Sequence, residues 1–175
     1  MDHAFDSRAA FSAAVTEHQR SVFFHALRLC RGDEQLARDV AQKTFLKAWT
    51  ARADFRGESS LRTWLLRIAH NLAINELRRA HRRREVVPED DGDDLGSVSA
   101  TAPETIDDAR QREALQHAVL GLAPRQRDVT LLRLYQDLTF PEIGDVLGIS
   151  AGNAKVHFHH ATKNLRRQLA HGGAA

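Results

Sequence analysis

Two groups of residues in this sequence have types and spacings suited to chemistry. Asn71 and Asn75 stand four apart and lead into a basic tract of Arg78, Arg79, His81, Arg82, Arg83 and Arg84. On a helix, positions i and i+4 share a face, so the two amides would lie beside the arginines. Amides next to a basic tract suit exposed base edges and phosphates, as in single-stranded or distorted DNA. A solvated helix tail has the same composition. The second group is Lys155, Val156, His157, His159 and His160. Lysine meets guanine or phosphate, and valine meets the methyl of thymine. His157 and His160 are spaced to share a metal, but His159 points elsewhere and no cysteine or carboxylate completes the set, so no metal site is expected. No nucleophile–base pair and no phosphate loop appears. The expected chemistry is therefore binding, with no catalytic residue and no cofactor.

The elements that must position these residues read as helices. Phe11, Val15, Val22, Ala26 and Leu29 recur at helical spacing, and Gly32 ends that run. Asp33 can cap a second helix carrying Leu36, Val40, Phe45 and Trp49. After a break around Gly57, Ser59 or Ser60 caps a long third helix with Leu61, Trp64, Leu65, Ile68, Leu72 and Leu77. Asn71 and Asn75 fall on that helix. Farther on, Leu115, Val119 and Leu122 line one helix, and Pro124 opens the next, which carries Val129, Leu132 and Leu134. Thr139 and Glu142 have capping-box spacing, Gly148 stops a short helix, and Ser150 starts another almost at once. A helix, a tight glycine turn and a second helix make a helix-turn-helix. In its second helix Ala154, Phe158, Ala161 and Leu165 face the core, which turns Lys155, Val156, His159, His160 and Lys163 outward.

Charge separates the two helical units. The chain has 175 residues and a net charge of +2, but residues 85–109 hold nine acidic side chains and no lysine or arginine. The rest carries 25 basic against 14 acidic side chains, and such a surface calls for a polyanion. The acidic strip, with Pro88, Gly92, Gly96 and Pro103, cannot bury enough apolar surface to order itself and reads as a linker. The expected fold is all-α, with two small helical domains at 8–84 and 110–170 joined by an acidic flexible linker at 85–109. No run of 18 apolar residues is present, so no membrane insertion is expected. One cysteine, Cys30, and no secretory signal make a reducing cytoplasm the simplest home.

Three strings, DVAQKTFLKAW (39–49), FRGESSLRTWLLRIAHNLAINELRR (55–79) and LTFPEIGDVLGIS with GNAKVHFHHA (138–161), resemble the extracytoplasmic-function (ECF) sigma factors of bacteria. These are the small sigma factors reduced to regions two and four. The three motifs occur in the family's order, on either side of an acidic linker.

The resemblance implies that the first unit binds core RNA polymerase and opens the minus-ten element. It implies that the second reads the minus-thirty-five element as duplex. Asp39 and Gln42 match positions that contact the polymerase coiled coil, although ordinary helix-surface polarity would look the same. The loop from Asp54 to Ser60, with Arg56 in it, resembles the loop that captures a flipped non-template base. Ala51, Phe55, Ile68 and Asn71 match that pocket's walls and floor, and a flipped base does need an apolar wall and an amide for its edge. Phe55 could instead plug the core. Asn75, Arg78 and Arg79 would follow the strand backbone. In the second unit Arg133 matches a phosphate contact. Gly152 and Asn153 match a phosphate-binding helix start, and Lys155, Val156, His159 and His160 match the reading face. An anti-sigma factor is a further partner implied by the family.

The sequence departs from the family pattern in three places. Many members show Gly-Thr-Val followed by Lys or Arg, Ser and Arg in the second helix of the helix-turn-helix, where this chain has Gly152, Asn153, Ala154, Lys155, Val156 and His157. Position 160, often arginine, is histidine, and position 43, often acidic, is lysine. The linker length fits the task. A flexible coil of this length spans about 25–30 Å, and fully extended it reaches roughly 80 Å. The two DNA elements lie on the order of 85 Å apart, so the linker must stretch when both are engaged. The alternative is a helix-turn-helix regulator that binds an operator without polymerase. Binding to core polymerase discriminates the two.

Overall fold

The structure is a computed structural model that describes residues 7–86 and 106–172. The described residues are helical, with seven α-helices, one short 3₁₀ turn and no strand. They form two compact units, one holding α1–α3 and the other α4–α7.

In the first unit, α1 spans Arg8–Leu29, α2 Glu34–Thr50 and α3 Leu61–Val86, with the 3₁₀ turn at Arg52–Asp54. Each start has a local cause. The Ala10 amide donates to Ser7 Oγ at 3.0 Å, Leu36 to Asp33 Oδ1 at 2.9 Å and Thr63 to Ser60 Oγ at 3.1 Å. These bonds satisfy amides that a helix N-terminus leaves without partners. Ser60, not Ser59, is therefore the cap of α3. After α1 the chain turns through Arg31 at φ 56° and Gly32 at φ 90°, and the Gly32 amide donates back to the Leu27 carbonyl at 2.9 Å. The core gathers Val22, Ala48, Leu65 and Ala69, with Phe11, Phe45, Leu61, Trp64 and Ile68 packed against it.

One core position was not read as apolar. His25 of α1 is 1% exposed and stacks on buried His70 of α3, ring centroids 5.7 Å apart. Neither ring nitrogen of His25 has a hydrogen-bond partner. Burial, then the positive fields of His70, Arg28 and Arg62, hold its pKa well below the ordinary value.

In the second unit, α4 spans Ile106–Leu120, α5 Pro124–Tyr135, α6 Phe140–Leu147 and α7 Ala151–Gly172. Val119, Leu122, Val129, Leu131, Leu132, Ile143, Val146, Ala154, Ala161 and Leu165 are buried. Leu134, placed by the sequence on the same stripe as Leu132, is 46% exposed. Two residues is 200° around a helix, so it turns away from the core and Leu131 takes the inward place. The acidic strip read as linker lies mostly outside the described residues. Its ends are helical: Glu85 and Val86 belong to α3, and Asp107 and Asp108 fall in the first turn of α4.

Candidate nucleic-acid interface

The α6–turn–α7 geometry is fixed by neighbours in sequence. Thr139 Oγ1 accepts from the Glu142 amide, and Glu142 Oε2 accepts from the Thr139 amide at 2.8 Å, which closes the capping box. Gly148 ends α6 at φ 66°. Gly144 has a different reason to be glycine, because a Cβ there would lie 2.6 Å from the Ile149 carbonyl oxygen. Ser150 Oγ then accepts from the Asn153 amide at 3.1 Å and starts α7.

This start leaves Gly152, Asn153, Lys155, Val156, His159, His160 and Lys163 exposed on α7, while Ala154, Ala161 and Leu165 are buried. Val156 is 54% exposed, an apolar side chain held out in water on an otherwise polar face. His159 and His160 meet edge to face at 5.9 Å, and His157 is half-buried. Arg133 is half-buried and braced. Its Nη1 donates to the Leu138 carbonyl at 2.8 Å, and its guanidinium lies 5.3 Å from the Phe140 ring centroid. Asn164 ties the middle of α7 to α5 by donating to Gln126 Oε1 at 2.9 Å.

On the first unit, the structure brings Asn71, Asn75 and Arg78 onto one exposed face of α3. Arg67, which the sequence reading passed over, stands one turn before Asn71 on that face and is also exposed. Its signal was the four-residue spacing. Ile68 and Ala51 are half-buried beside this strip, and Arg56 is exposed in the loop. Phe55 is 8% exposed and packs on Trp64 at 5.1 Å and against Ala14. Of its two readings, this conformation shows the core plug. The loop gains a second anchor from Arg52, which lies 4.2 Å over the Trp49 ring and donates to the Trp49 carbonyl at 2.7 Å.

The outward face of α2 carries half-buried Asp39 and exposed Gln42, at i and i+3. Leu46, which the sequence reading missed, and Lys43, the departure from the family noted there, lie on the same helix. Leu46 is 61% exposed, one turn beyond Gln42. Lys43 reaches across to α3 and donates to Glu76 Oε1 at 2.9 Å, and Arg79 meets the same oxygen at 3.3 Å. The Lys43 hydrogen bond, opposed by burial and aided by the charges of Lys43, Arg79 and Arg83, holds the Glu76 carboxyl below its usual range. Among the described residues, no cluster of three or more histidine, cysteine, aspartate or glutamate side chains is arranged to hold a metal. No described helix is long and apolar enough to cross a membrane.

An exposed amide and arginine face on α3 and a braced helix-turn-helix thus stand on one chain, and two family models match it. Residues 14–83 match sigma-70 region 2, and residues 112–165 match sigma-70 region 4. The chain is 34% identical over 137 residues to the RNA polymerase sigma factor YlaC of Bacillus subtilis, covering 77% of this chain and 78% of that one. It is 32% identical over 163 residues to the ECF RNA polymerase sigma factor SigL of Mycobacterium tuberculosis, covering 92% and 89%.

The chain belongs to the ECF sigma factors.

The fold of this sigma factor is shared by solved relatives. The sigma factor RpoE of Bartonella quintana, solved with the anti-sigma factor NepR, matches with a TM-score of 0.74 at 18% identity, over 91% of this chain and 96% of that one. CnrH, solved in complex with the cytosolic domain of CnrY, matches with a TM-score of 0.66 at 26% identity, over 96% and 92%. Region two of the sigma factor thus contains α1–α3, and region four contains the helix-turn-helix.

Proposed function

We propose that this sigma factor docks on core RNA polymerase through the outward face of α2, with Asp39, Gln42 and Leu46 as contacts. The strip on α3 then holds the non-template strand of the minus-ten element. Asn71 reads a base edge, Ala51 and Ile68 border the pocket, Arg56 reaches in from the loop, and Asn75, Arg78 and Arg79 follow the backbone. Phe55 supports the loop from beneath through Trp64. In region four, α7 reads the minus-thirty-five duplex. Lys155 and Val156 meet base edges, Gly152 and Asn153 offer helix-start amides to a phosphate, and His159, His160 and Arg133 flank the groove. The modules run 8–84 and 110–170, with the acidic segment between them. The protein works in the cytoplasm, beside the polymerase, and contributes no catalytic group of its own.

The observation that carries this reading is the exposed amide and arginine strip on one face of α3, in a chain that also presents α7. Single strands are bound by such polar, cationic tracks, and duplex by a helix in the major groove. An anti-sigma factor is the partner that would hold the protein inactive. Run-off transcription with purified core polymerase on a genomic promoter library tests the reading. The expected result is initiation from promoters that share two spaced motifs. Tight duplex binding with no transcripts would favour an operator-binding regulator instead.

A further inference from the structure

Glu76 occupies an odd place for a carboxylate. It stands on α3 directly after Asn75, turned from the exposed strip toward α2, and its side chain is only 11% exposed. One oxygen, Oε1, accepts from both Lys43 of α2 and Arg79 one turn farther along α3. Both cations keep much of their surface in water, with the Arg79 side chain 62% exposed and that of Lys43 49%. They remain able to meet a phosphate while a fixed anion already neutralises part of their charge.

A phosphate and Glu76 compete for the same guanidinium. Non-specific binding of a strand is almost wholly counterion release, so each cation held internally subtracts directly from it. Specific binding also draws on base contacts, which a nearby carboxylate leaves untouched. An internal anion beside a strand-binding face therefore lowers the backbone contribution for every strand, and a strand that makes no base contacts is left with little else.

We infer that Glu76 limits the affinity of the strand-binding face for the phosphate backbone. It withholds part of the charge of Arg79 and Lys43 from the phosphate backbone, so that engagement of a strand depends on the bases presented to Asn71 rather than on charge alone. This rests on the proposal that α3 carries the minus-ten strand. Unlike a purely structural ion pair, such a restraint predicts tighter binding when it is removed.

The test is Glu76→Gln, whose amide oxygen still accepts from Lys43 and keeps α2 tied to α3. The holoenzyme is titrated with a dT20 strand as the non-specific probe. It is titrated in parallel with a non-template strand selected by the parent holoenzyme from a random-sequence pool. The slope of log affinity for dT20 against log salt should steepen by up to about 0.7, the single-strand value for one added phosphate contact. Over a tenfold change in salt that is about fivefold in affinity. The selected strand should gain by a similar factor, because its phosphates meet the same cations. In an Arg79→Ala background the effect of Glu76→Gln should shrink. An unchanged slope in Glu76→Gln would overturn the inference, as would weaker binding of both strands with a lowered melting temperature, the mark of a structural role. If Arg79→Ala alone leaves the dT20 slope unaltered, the placement of the strand on α3 is what fails.

Discussion

The faces proposed to meet nucleic acid on the two units are built in different ways. In region four the reading helix is set by its neighbours in sequence, through the Thr139–Glu142 box, the turn at Gly148 and the Ser150 cap. In region two the face is set by residues far apart in sequence. Lys43 and Glu76 are separated by 33 positions, and Arg62, which donates to Ser21 Oγ, by 41. The loop beside the strip rests through Phe55 on Trp64 and on Ala14 of α1, 41 positions away. A duplex offers a regular groove, and a preformed helix end suits it. A melted strand offers no such regularity, so its site needs side chains from several elements held in one frame.

The units also differ in what their cores bury. Region two buries His25 among cationic neighbours. Region four buries Asp128, whose carboxyl is pushed up to about 6 by burial, against the pull of Arg127 and Arg125. Acid therefore acts on the two cores with opposite signs.

The largest expected effect breaks the long-range frame of region two. Phe55→Ala removes a ring packed on Trp64 and Ala14 and should cost about 3 kcal/mol. Hydrogen exchange in α1–α3 would read the loss, together with weaker binding of a minus-ten strand. Next comes the local frame of region four. Gly144→Ala forces a Cβ against the Ile149 carbonyl and should cost about 2 kcal/mol, with backbone shifts in α6 and α7 and weaker binding of the minus-thirty-five duplex. Exchange protection of α6 equal to that of the parent would show that the turn has slack.

A third, smaller effect uses pH to separate the two cores. The folded state depresses the pKa of His25, so the unfolded chain binds a proton that the folded one refuses. Region two keeps its full stability above the ordinary histidine pKa of about 6.5 and loses up to about 1.4 kcal/mol for each pH unit below it. The folded pKa of Asp128 is raised, so its contribution is fully present below the ordinary aspartate value and is lost as pH rises through about 6. Between pH 6 and 4, acid should loosen α1–α3 while favouring α5. Exchange measured along the chain, corrected for intrinsic rates, should show the two trends. His25→Phe should flatten the first and Asp128→Asn the second. Parallel trends in both units would contradict the assignment.

The same contrast decides what was legible in the sequence. The helix-turn-helix was read to the residue because its caps and glycine act within a few positions, and the two-unit helical fold followed from apolar periodicity. His25 escaped because histidine reads as polar, and nothing local announces that it faces His70 across a helix seam. Leu46 escaped because Leu36, Val40, Phe45 and Trp49 already supplied a stripe for α2. The Lys43 departure was visible as a lysine at an often acidic position, but its partner Glu76 is evident only once α2 and α3 are packed. Phe55 stayed ambiguous because a core plug and a pocket wall require the same residue type, and only burial separates them.

The central claim is that α3 reads a strand while α7 reads a duplex. It is tested most directly by Asn71→Ala in the holoenzyme, on a promoter recovered by run-off selection. Affinity is measured for single strands carrying each of the four bases at every minus-ten position, and for the minus-thirty-five duplex alongside. The account predicts lost discrimination at one minus-ten position, by about 1–3 kcal/mol, with duplex affinity unchanged. A parental base preference at every minus-ten position, or an equal loss on strand and duplex, would contradict it.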